Sequence, residues 1–171
     1  DEEKEAEDLI EEHRRRSEEI ARRADKLSED HKRKVDEIAK TVEKLIRTLK
    51  EIVDRKPPDD ELRKILEDVR RRAEDLDREV RKTNEEMRRR LRKIEADVER
   101  EMRETERRVR EKIKDNKELK DRVERVLEES RELLERLRKK LEDNSKEVED
   151  ILRKLRKEVE DVVRKIRKRA E

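Results

Sequence analysis

Several residue types are missing from this chain. Its 171 residues include no glycine, cysteine, phenylalanine, tryptophan or tyrosine, and only two prolines. Without cysteine there is no disulfide framework and no thiolate chemistry, and without glycine there is no glycine-rich loop to hold a phosphate group. A usual glycine content of about 7% would give roughly 12 glycines in a chain of this length, so their complete absence is unusual for an evolved protein.

The residues that are present are mostly charged. Charged side chains make up 63% of the sequence and hydrophobic ones only 28%, which is normally a mark of disorder. The commonest residues, however, are the strong helix formers Glu, Arg, Lys and Leu, and the apolar positions recur regularly. This periodicity predicts an all-α protein.

The two signs of charge nearly cancel. There are 55 basic and 53 acidic residues, so the electrostatic footprint of a nucleic-acid-binding protein is missing. The arginine runs at 14–16 and 88–90 have acidic neighbours three or four positions away, which is typical of a solvated, ion-paired helix face. We therefore expect no nucleic-acid partner.

No apolar run approaches the roughly 18 residues of a membrane span, and no signal peptide is apparent. We expect a soluble chain without a membrane partner. With no targeting signal to assign, the expected setting is recombinant cytoplasmic expression rather than a natural compartment.

Two places interrupt the helical pattern. In DRKPPDDEL, at 54–62, the prolines end one helix and Asp59 or Asp60 can cap the next. In KDNKEL, at 114–119, Asp115 and Glu118 can form a capping box.

The interruptions divide the chain into three helices of nearly equal length. The predicted helices cover about 2–54, 59–114 and 116–170, and short connections make neighbours antiparallel. Apolar positions recur at 18 residues, as in Leu9, Leu27 and Leu45, and 18 residues are five turns, so the stripe supercoils little. The prediction is one bundle over 1–171: an elongated, nearly straight, coiled-coil-like, up-down-up three-helix bundle.

Asn144 and Ser145 raise the question of a third interruption. The apolar stripe passes from Leu141 through Asn144 to Val148 without losing phase, and a true turn would not preserve that phase. The sequence therefore predicts one continuous helix at 117–170.

Polar residues at inward positions fall at two heights of the predicted bundle. One layer contains His13, Ser17 and Ser130, with Thr105 as a candidate fourth member. The other contains the following residues, of which the last two are candidate members: His31, Asn84, Asn144, Thr83 and Ser145. Buried polar groups are costly unless they are hydrogen-bonded, so we expect each layer to be a hydrogen-bond network.

The alphabet without glycine or aromatic residues, the three equal helices and the polar layers in an aliphatic core resemble computationally designed helical bundles with buried hydrogen-bond networks. The resemblance covers the whole chain. It implies an engineered scaffold in which the networks specify helix pairing, and some histidine-bearing members of that family are intended as pH-responsive switches. The nearest natural comparison is a spectrin-like repeat, which the lack of tryptophan, glycine and glutamine argues against.

Catalytic and metal-binding patterns are missing. His13 and His31 are about 27 Å apart on one helix, too far to share a metal, and neither has a glutamate three residues before it, as di-iron bundles require. No sequence spacing known from catalytic motifs joins a nucleophile to a base and an orienting acid. We expect no enzyme, cofactor or metal, and interpret Glu101, level with His13, as a solvated rim residue rather than an acid partner.

Three functions fit these observations. The first is a structural scaffold, and the second is a pH-responsive bundle destabilised when His13 and His31 are protonated. The third is a binding or oligomerisation module that accepts another helix or a second copy.

The inward positions of each helix form a stripe that we call the inward seam. The third function would use the extra apolar residues that flank this seam. They are Ile10, Ala21, Ala39, Ile46, Val53, Leu127, Leu134, Leu152 and Val163. A widened apolar band also suits helices that contact two neighbours inside one bundle. We favour that interpretation, and expect a monomer that requires no partner.

Overall fold

The computed structural model describes residues 2–113 and 116–170, the side chains at 166, 167, 169 and 170 excepted. It contains three helices of 54 residues: α1, Glu2–Arg55; α2, Asp59–Lys112; and α3, Lys117–Ala170. The prediction of an all-α three-helix bundle is confirmed. Helix α3 runs through Asn144 and Ser145 without a break, so the polar pair is built into the helix.

The first connection is made without glycine. Lys56, just after α1, has a positive φ of 47°, and its N–H donates to the carbonyl oxygen of Val53 at 3.3 Å. The N–H of Leu62 donates to the carbonyl oxygen of Pro58 at 3.0 Å, so Pro58 takes the N-cap position that was expected for Asp59 or Asp60. That capping prediction is wrong.

Asp59 and Asp60 lie inside the first turn of α2 instead. Carboxylates there face the positive end of the helix dipole and stabilise the helix start without capping it.

The second connection ends at a side-chain cap. Oδ1 of Asn116 accepts a hydrogen bond from the N–H of Leu119 at 3.3 Å, which is the N-cap geometry expected of asparagine. The predicted capping box used Asp115, which lies outside the described residues. Glu118 lies in the first turn of α3.

The chain divides into two compact units, each with a segment of all three helices. Unit 1 contains 1–30 and 87–141, and unit 2 contains 31–86 and 142–171. Each unit has its own aliphatic core: Leu27 and Leu141 are among the most buried side chains of unit 1, and Val35 and Leu155 among those of unit 2. That the whole chain forms one bundle stays a prediction.

Interhelix ion pairs in unit 1 show the direction of neighbouring helices. Along α1, Glu12 pairs with Arg108 at 2.7 Å, and Arg23 pairs with Asp97 at 2.6 Å. As the number rises in α1 it falls in α2, so the two helices are antiparallel.

The inward positions predicted from the apolar spacing are buried or half-buried wherever the structure describes their side chains. Those at Ile166 and Ala170 lie outside the described side chains. The residues that widen the band are also buried or half-buried, and no large hydrophobic side chain among those described is exposed. The widened band therefore packs within the units.

Lys56 gives a direct test of the first connection. A left-handed conformation costs an L-residue about 1–2 kcal/mol, and glycine avoids that cost but loses about 0.5–1 kcal/mol in chain entropy. We expect Lys56→Gly to raise the free energy of unfolding by roughly 0.5–1 kcal/mol, measured by urea denaturation. Lys56→Ala keeps the β-carbon and is the control, and a Gly variant no more stable than the Ala variant would contradict the expectation.

Candidate functional site

The first polar cluster is built around His13 in unit 1. Its Nδ1 lies 3.1 Å from Oγ1 of Thr105 on α2, and its Nε2 lies 3.0 Å from Oγ of Ser130 on α3. His13 is only 1% exposed. One side chain of α1 therefore hydrogen-bonds to both other helices.

Ser17 is one turn further along α1 and joins the same cluster. Its Oγ lies 3.3 Å from Nε2 of His13 and 3.3 Å from Oγ of Ser130. Unlike His13, it is half-buried. We call these four residues, His13, Ser17, Thr105 and Ser130, the His13 cluster.

The proton positions in the His13 cluster follow from Thr105. Its hydroxyl donates to the backbone carbonyl of Glu101 at 2.9 Å. A hydroxyl has one hydrogen, so Thr105 can only accept from Nδ1 of His13, and Nδ1 carries the proton. In the neutral ring, Nε2 is then the acceptor, and the hydrogen bonds run in one direction: Ser17 to Ser130, to His13, to Thr105, to the Glu101 carbonyl.

The Glu101 carboxylate adds a negative charge at this site. Its Oε1 lies 3.6 Å from Nδ1 of His13, and its other oxygen accepts from Arg16 at 2.9 Å. The side chain is 12% exposed. The interpretation of Glu101 as a solvated rim residue is therefore wrong: its carboxylate is mostly buried beside the ring of His13 and can stabilise the ring when it is protonated.

Burial and charge act against each other on the pKa of His13. Burial lowers this pKa below the usual 6.5, and it is the largest influence, while the carboxylate of Glu101 opposes it by favouring the protonated ring. Arg16 lowers the pKa further and Glu129 raises it. The net effect is a ring that is neutral at neutral pH.

The second polar cluster surrounds His31 in unit 2. Nε2 of His31 lies 3.3 Å from Oδ1 of Asn84, and the hydroxyl of Ser145 donates to the same oxygen at 3.4 Å. An amide oxygen only accepts, so Nε2 of His31 carries the proton. His31, Asn84 and Ser145 form the His31 cluster.

His31 is less well satisfied than His13. Its Nδ1 is buried and has no hydrogen-bond partner among the described residues. The pKa of His31 is lowered chiefly by burial, with the bond to Asn84 opposing and the charge of Lys34 adding to the effect. No carboxylate is among the groups that influence this pKa, in contrast to His13.

Two residues assigned to the second layer are not joined to it. Asn144 is half-buried and Thr83 is buried, but neither side chain hydrogen-bonds to another residue within the described chain. Ser145, the next residue of α3, bonds to Asn84 instead of Asn144. Ser28 is also buried, and its place beside Leu27, off the inward seam, gave no signal in the sequence.

Metal and membrane chemistry find no support in the described residues. No three potential metal-ligating side chains come together there, and none of the three helices, over the residues described, has a stretch long and apolar enough to cross a bilayer. What the two clusters offer is hydrogen bonding and, at His13, a base beside hydroxyl groups.

A solved structure shares this fold. It is a computationally designed three helix bundle with 18% sequence identity, aligned over 98% of this chain and 83% of its own, with a TM-score of 0.54. At that identity the similarity shows the fold alone. No protein-family model and no curated protein matches the sequence.

The proton positions give opposite predictions for the two rings. Neutral His13 is protonated at Nδ1, because Thr105 can only accept, and neutral His31 at Nε2, because the Asn84 oxygen can only accept. Long-range proton–nitrogen NMR near pH 8 distinguishes the two tautomers. The same tautomer in both rings would contradict the assignment.

Proposed function

We propose that this chain is an engineered structural scaffold with no natural substrate, whose buried polar clusters determine which faces of the helices meet. The observation that supports this proposal most is His13. Both of its ring nitrogens are hydrogen-bonded, one to α2 and one to α3, in a core that is otherwise aliphatic.

The His13 cluster gives specificity to helix pairing because a shifted helix would remove the partners of His13. If α2 moved by one turn in one direction, Val109 would replace Thr105 opposite His13 and leave Nδ1 without an acceptor; the opposite shift would bring the charge of Glu101 into the core. A shift of α3 would bring Val126 or Leu134 in place of Ser130. A buried polar group without a partner costs about 1–3 kcal/mol. Aliphatic contacts alone would tolerate the shift better, because one apolar residue replaces another.

The engineered origin rests on composition and fold together. The chain has no glycine or aromatic residue, and its three helices each have 54 residues. It shares its fold with a designed bundle. We also propose that the chain is a monomer with no required partner, since no large hydrophobic side chain in the described part is exposed.

Thr105 tests whether the cluster stabilises the native pairing. Thr105→Val keeps the shape but removes the acceptor for Nδ1 of His13, and we expect it to cost about 1–3 kcal/mol of unfolding free energy, measured in urea. Thr41→Val is the matched control, because Thr41 also donates to a carbonyl one turn before it, at 3.0 Å, but is exposed. Equal effects of the two substitutions would contradict the role of the cluster.

Replacing the whole His13 cluster with apolar residues separates its effect on helix pairing from its effect on stability. Exchanging all four residues of the His13 cluster for apolar ones, His13 for Leu, Thr105 for Val, and Ser17 and Ser130 for Ala, leaves none of its hydroxyl groups without a partner, and stability should be kept or increased. The scaffold proposal requires that this variant lose uniqueness, with broadened or doubled NMR signals. A variant that keeps one sharp set of signals would show that the aliphatic core specifies the pairing alone.

A second candidate function is a pH response, and Nδ1 of His31 is the observation that favours it. Protonation would place an N–H there, where the described residues offer no acceptor. The pKa of each histidine is lowered in the folded chain, so the folded state binds the proton more weakly than the unfolded state. The stabilising contribution is complete above pH 6.5 and is lost as the pH falls from 6.5 through the lowered pKa values.

Urea unfolding at about pH 7.5 and about pH 5 tests this response. We expect a lower midpoint at the acidic pH, and a smaller decrease in His31→Gln than in His13→Gln, because His13 has the Glu101 carboxylate to stabilise its charged form. Equal midpoints at the two pH values would rule out the pH response and leave the scaffold proposal intact.

A further inference from the structure

The His13 cluster reaches the surface of unit 1 through a groove between α1 and α3. Ser17 and Ser130 both line this groove, together with the apolar side chains of Ala21, Val126 and Leu133. The groove thus joins the hydroxyl end of the buried network to solvent. A small molecule with an apolar portion can approach the two serines there.

Two side chains of the His13 cluster and the neighbouring Glu101 stand in the order nucleophile, base and acid. Oγ of Ser130 lies 3.0 Å from Nε2 of His13, and Nδ1 of the same ring lies 3.6 Å from Oε1 of Glu101. A hydroxyl within hydrogen-bond reach of an oriented base is the arrangement that activates a serine. Here Thr105 orients the ring through its hydrogen bond to Nδ1, and Glu101, at 3.6 Å, acts on the ring through its charge. The three residues come from three helices, so no sequence spacing reveals them.

We propose that Ser130 is a nucleophile activated by His13, and that it accepts acyl groups from small activated esters that enter the groove. Glu101 and Thr105 are positioning residues that hold the ring. This reactivity goes beyond the scaffold role and does not depend on it.

The proton order in the cluster already suits the reaction. Because Thr105 fixes the proton on Nδ1, the lone pair of Nε2 is available to the hydroxyl of Ser130. Ser17 is the competitor for that lone pair, but its oxygen is further away, at 3.3 Å. Burial keeps the ring unprotonated at neutral pH, which is the form a general base requires.

The acyl-transfer step balances without any further reactant. The oxygen of Ser130 bonds to the carbonyl carbon while its proton moves to Nε2 of His13. The imidazolium is stabilised by the carboxylate of Glu101. The C–O bond of the ester then breaks, and the departing alcohol oxygen keeps the electron pair and takes the proton from Nε2, which returns His13 to its neutral form. Attack by water on the acyl-serine, with His13 again as base, returns the free hydroxyl and releases the acid.

The guanidinium groups of Arg14 and Arg136 line the groove. Both can donate hydrogen bonds to the carbonyl oxygen as it becomes negative. Donors aimed at developing charge are a main source of rate acceleration in acyl transfer.

The test uses an ethoxy alkylfluorophosphonate, which reports activated serines by the same attack, with fluoride as leaving group. Trypsin separates the serines: Ser17 lies in peptide 17–22, Ser130 in 126–131 and Ser145 in 141–146. Ser145 is the internal control, because it bonds to Asn84 and not to a histidine. We expect phosphonylation of peptide 126–131 about a hundredfold faster than of peptide 141–146, the usual size of a general-base effect.

Variants assign the roles. Ser130→Ala should abolish the label on 126–131, His13→Gln should slow it about a hundredfold, and His31→Gln should leave it unchanged. Circular dichroism checks that each variant is folded. If His13→Gln does not fold, Glu101→Gln replaces it, at a site that is 12% exposed.

The pH profile distinguishes a base from a merely structural histidine. Groups facing His13 are Glu101 on α2, Arg16 on α1 and Glu129 on α3. Labelling should decrease as the pH falls through the pKa of His13, and Glu101→Gln should slow labelling and move that midpoint to lower pH, because Glu101 raises the pKa. Labelling of Ser130 no faster than of Ser145, faster labelling of Ser17 than of Ser130, or an unchanged rate in folded His13→Gln would overturn the proposal.

Discussion

A buried imidazole has two ring nitrogens to satisfy, and in this protein that requirement constrains the helices around it. His13 meets the requirement with Thr105 on α2 and Ser130 on α3. Aliphatic side chains can exchange partners at modest cost, but a buried ring nitrogen without a hydrogen bond destabilises the folded state. The single direction of hydrogen bonds from Ser17 to the Glu101 carbonyl means that each residue depends on the one beside it.

The two histidines show how strongly the surroundings of a buried imidazole affect its hydrogen bonding and its electrostatics. Both are almost fully buried, at 1% and 3% exposure, and burial lowers the pKa of both. Yet one ring has partners on both nitrogens and a carboxylate nearby, while the other has Asn84 on one nitrogen only. The same kind of side chain is thus fully hydrogen-bonded at His13 and hydrogen-bonded at only one nitrogen at His31.

Much of the fold could be predicted from the sequence because one physical rule governs it. Apolar spacing places a residue on a helix face, and the prolines at 57 and 58 and the polar segment near Asn116 mark the connections. The first residue of α2 was predicted at 59, as observed, but its capping residue was not, because aspartate favours both the cap and the first turn. Spacing also placed Ser130 and Thr105 at the height of His13, since every member of that cluster lies on the inward seam.

The atomic partners could not be predicted in the same way. Spacing fixes the direction of a β-carbon, but Glu101 reaches His13 with a flexible side chain from outside the seam. Asn144 and Ser145 are neighbours in sequence and both half-buried, and the orientation of α3 about its own axis decides which of them meets Asn84. The order of nucleophile, base and acid in three helices was hidden for the same reason: distances between helices are absent from a linear pattern.

The central claim is that His13 lies between Thr105 and Ser130. Nuclear Overhauser effects from the ring protons of His13 measure this most directly, in a sample with labelled threonine methyl groups and serine β-protons. The account predicts cross-peaks to the methyl of Thr105 and to the β-protons of Ser130, both within about 5 Å of the ring. Cross-peaks instead to the methyl groups of Val109 or Leu134, one turn away, would show a different helix pairing and contradict it.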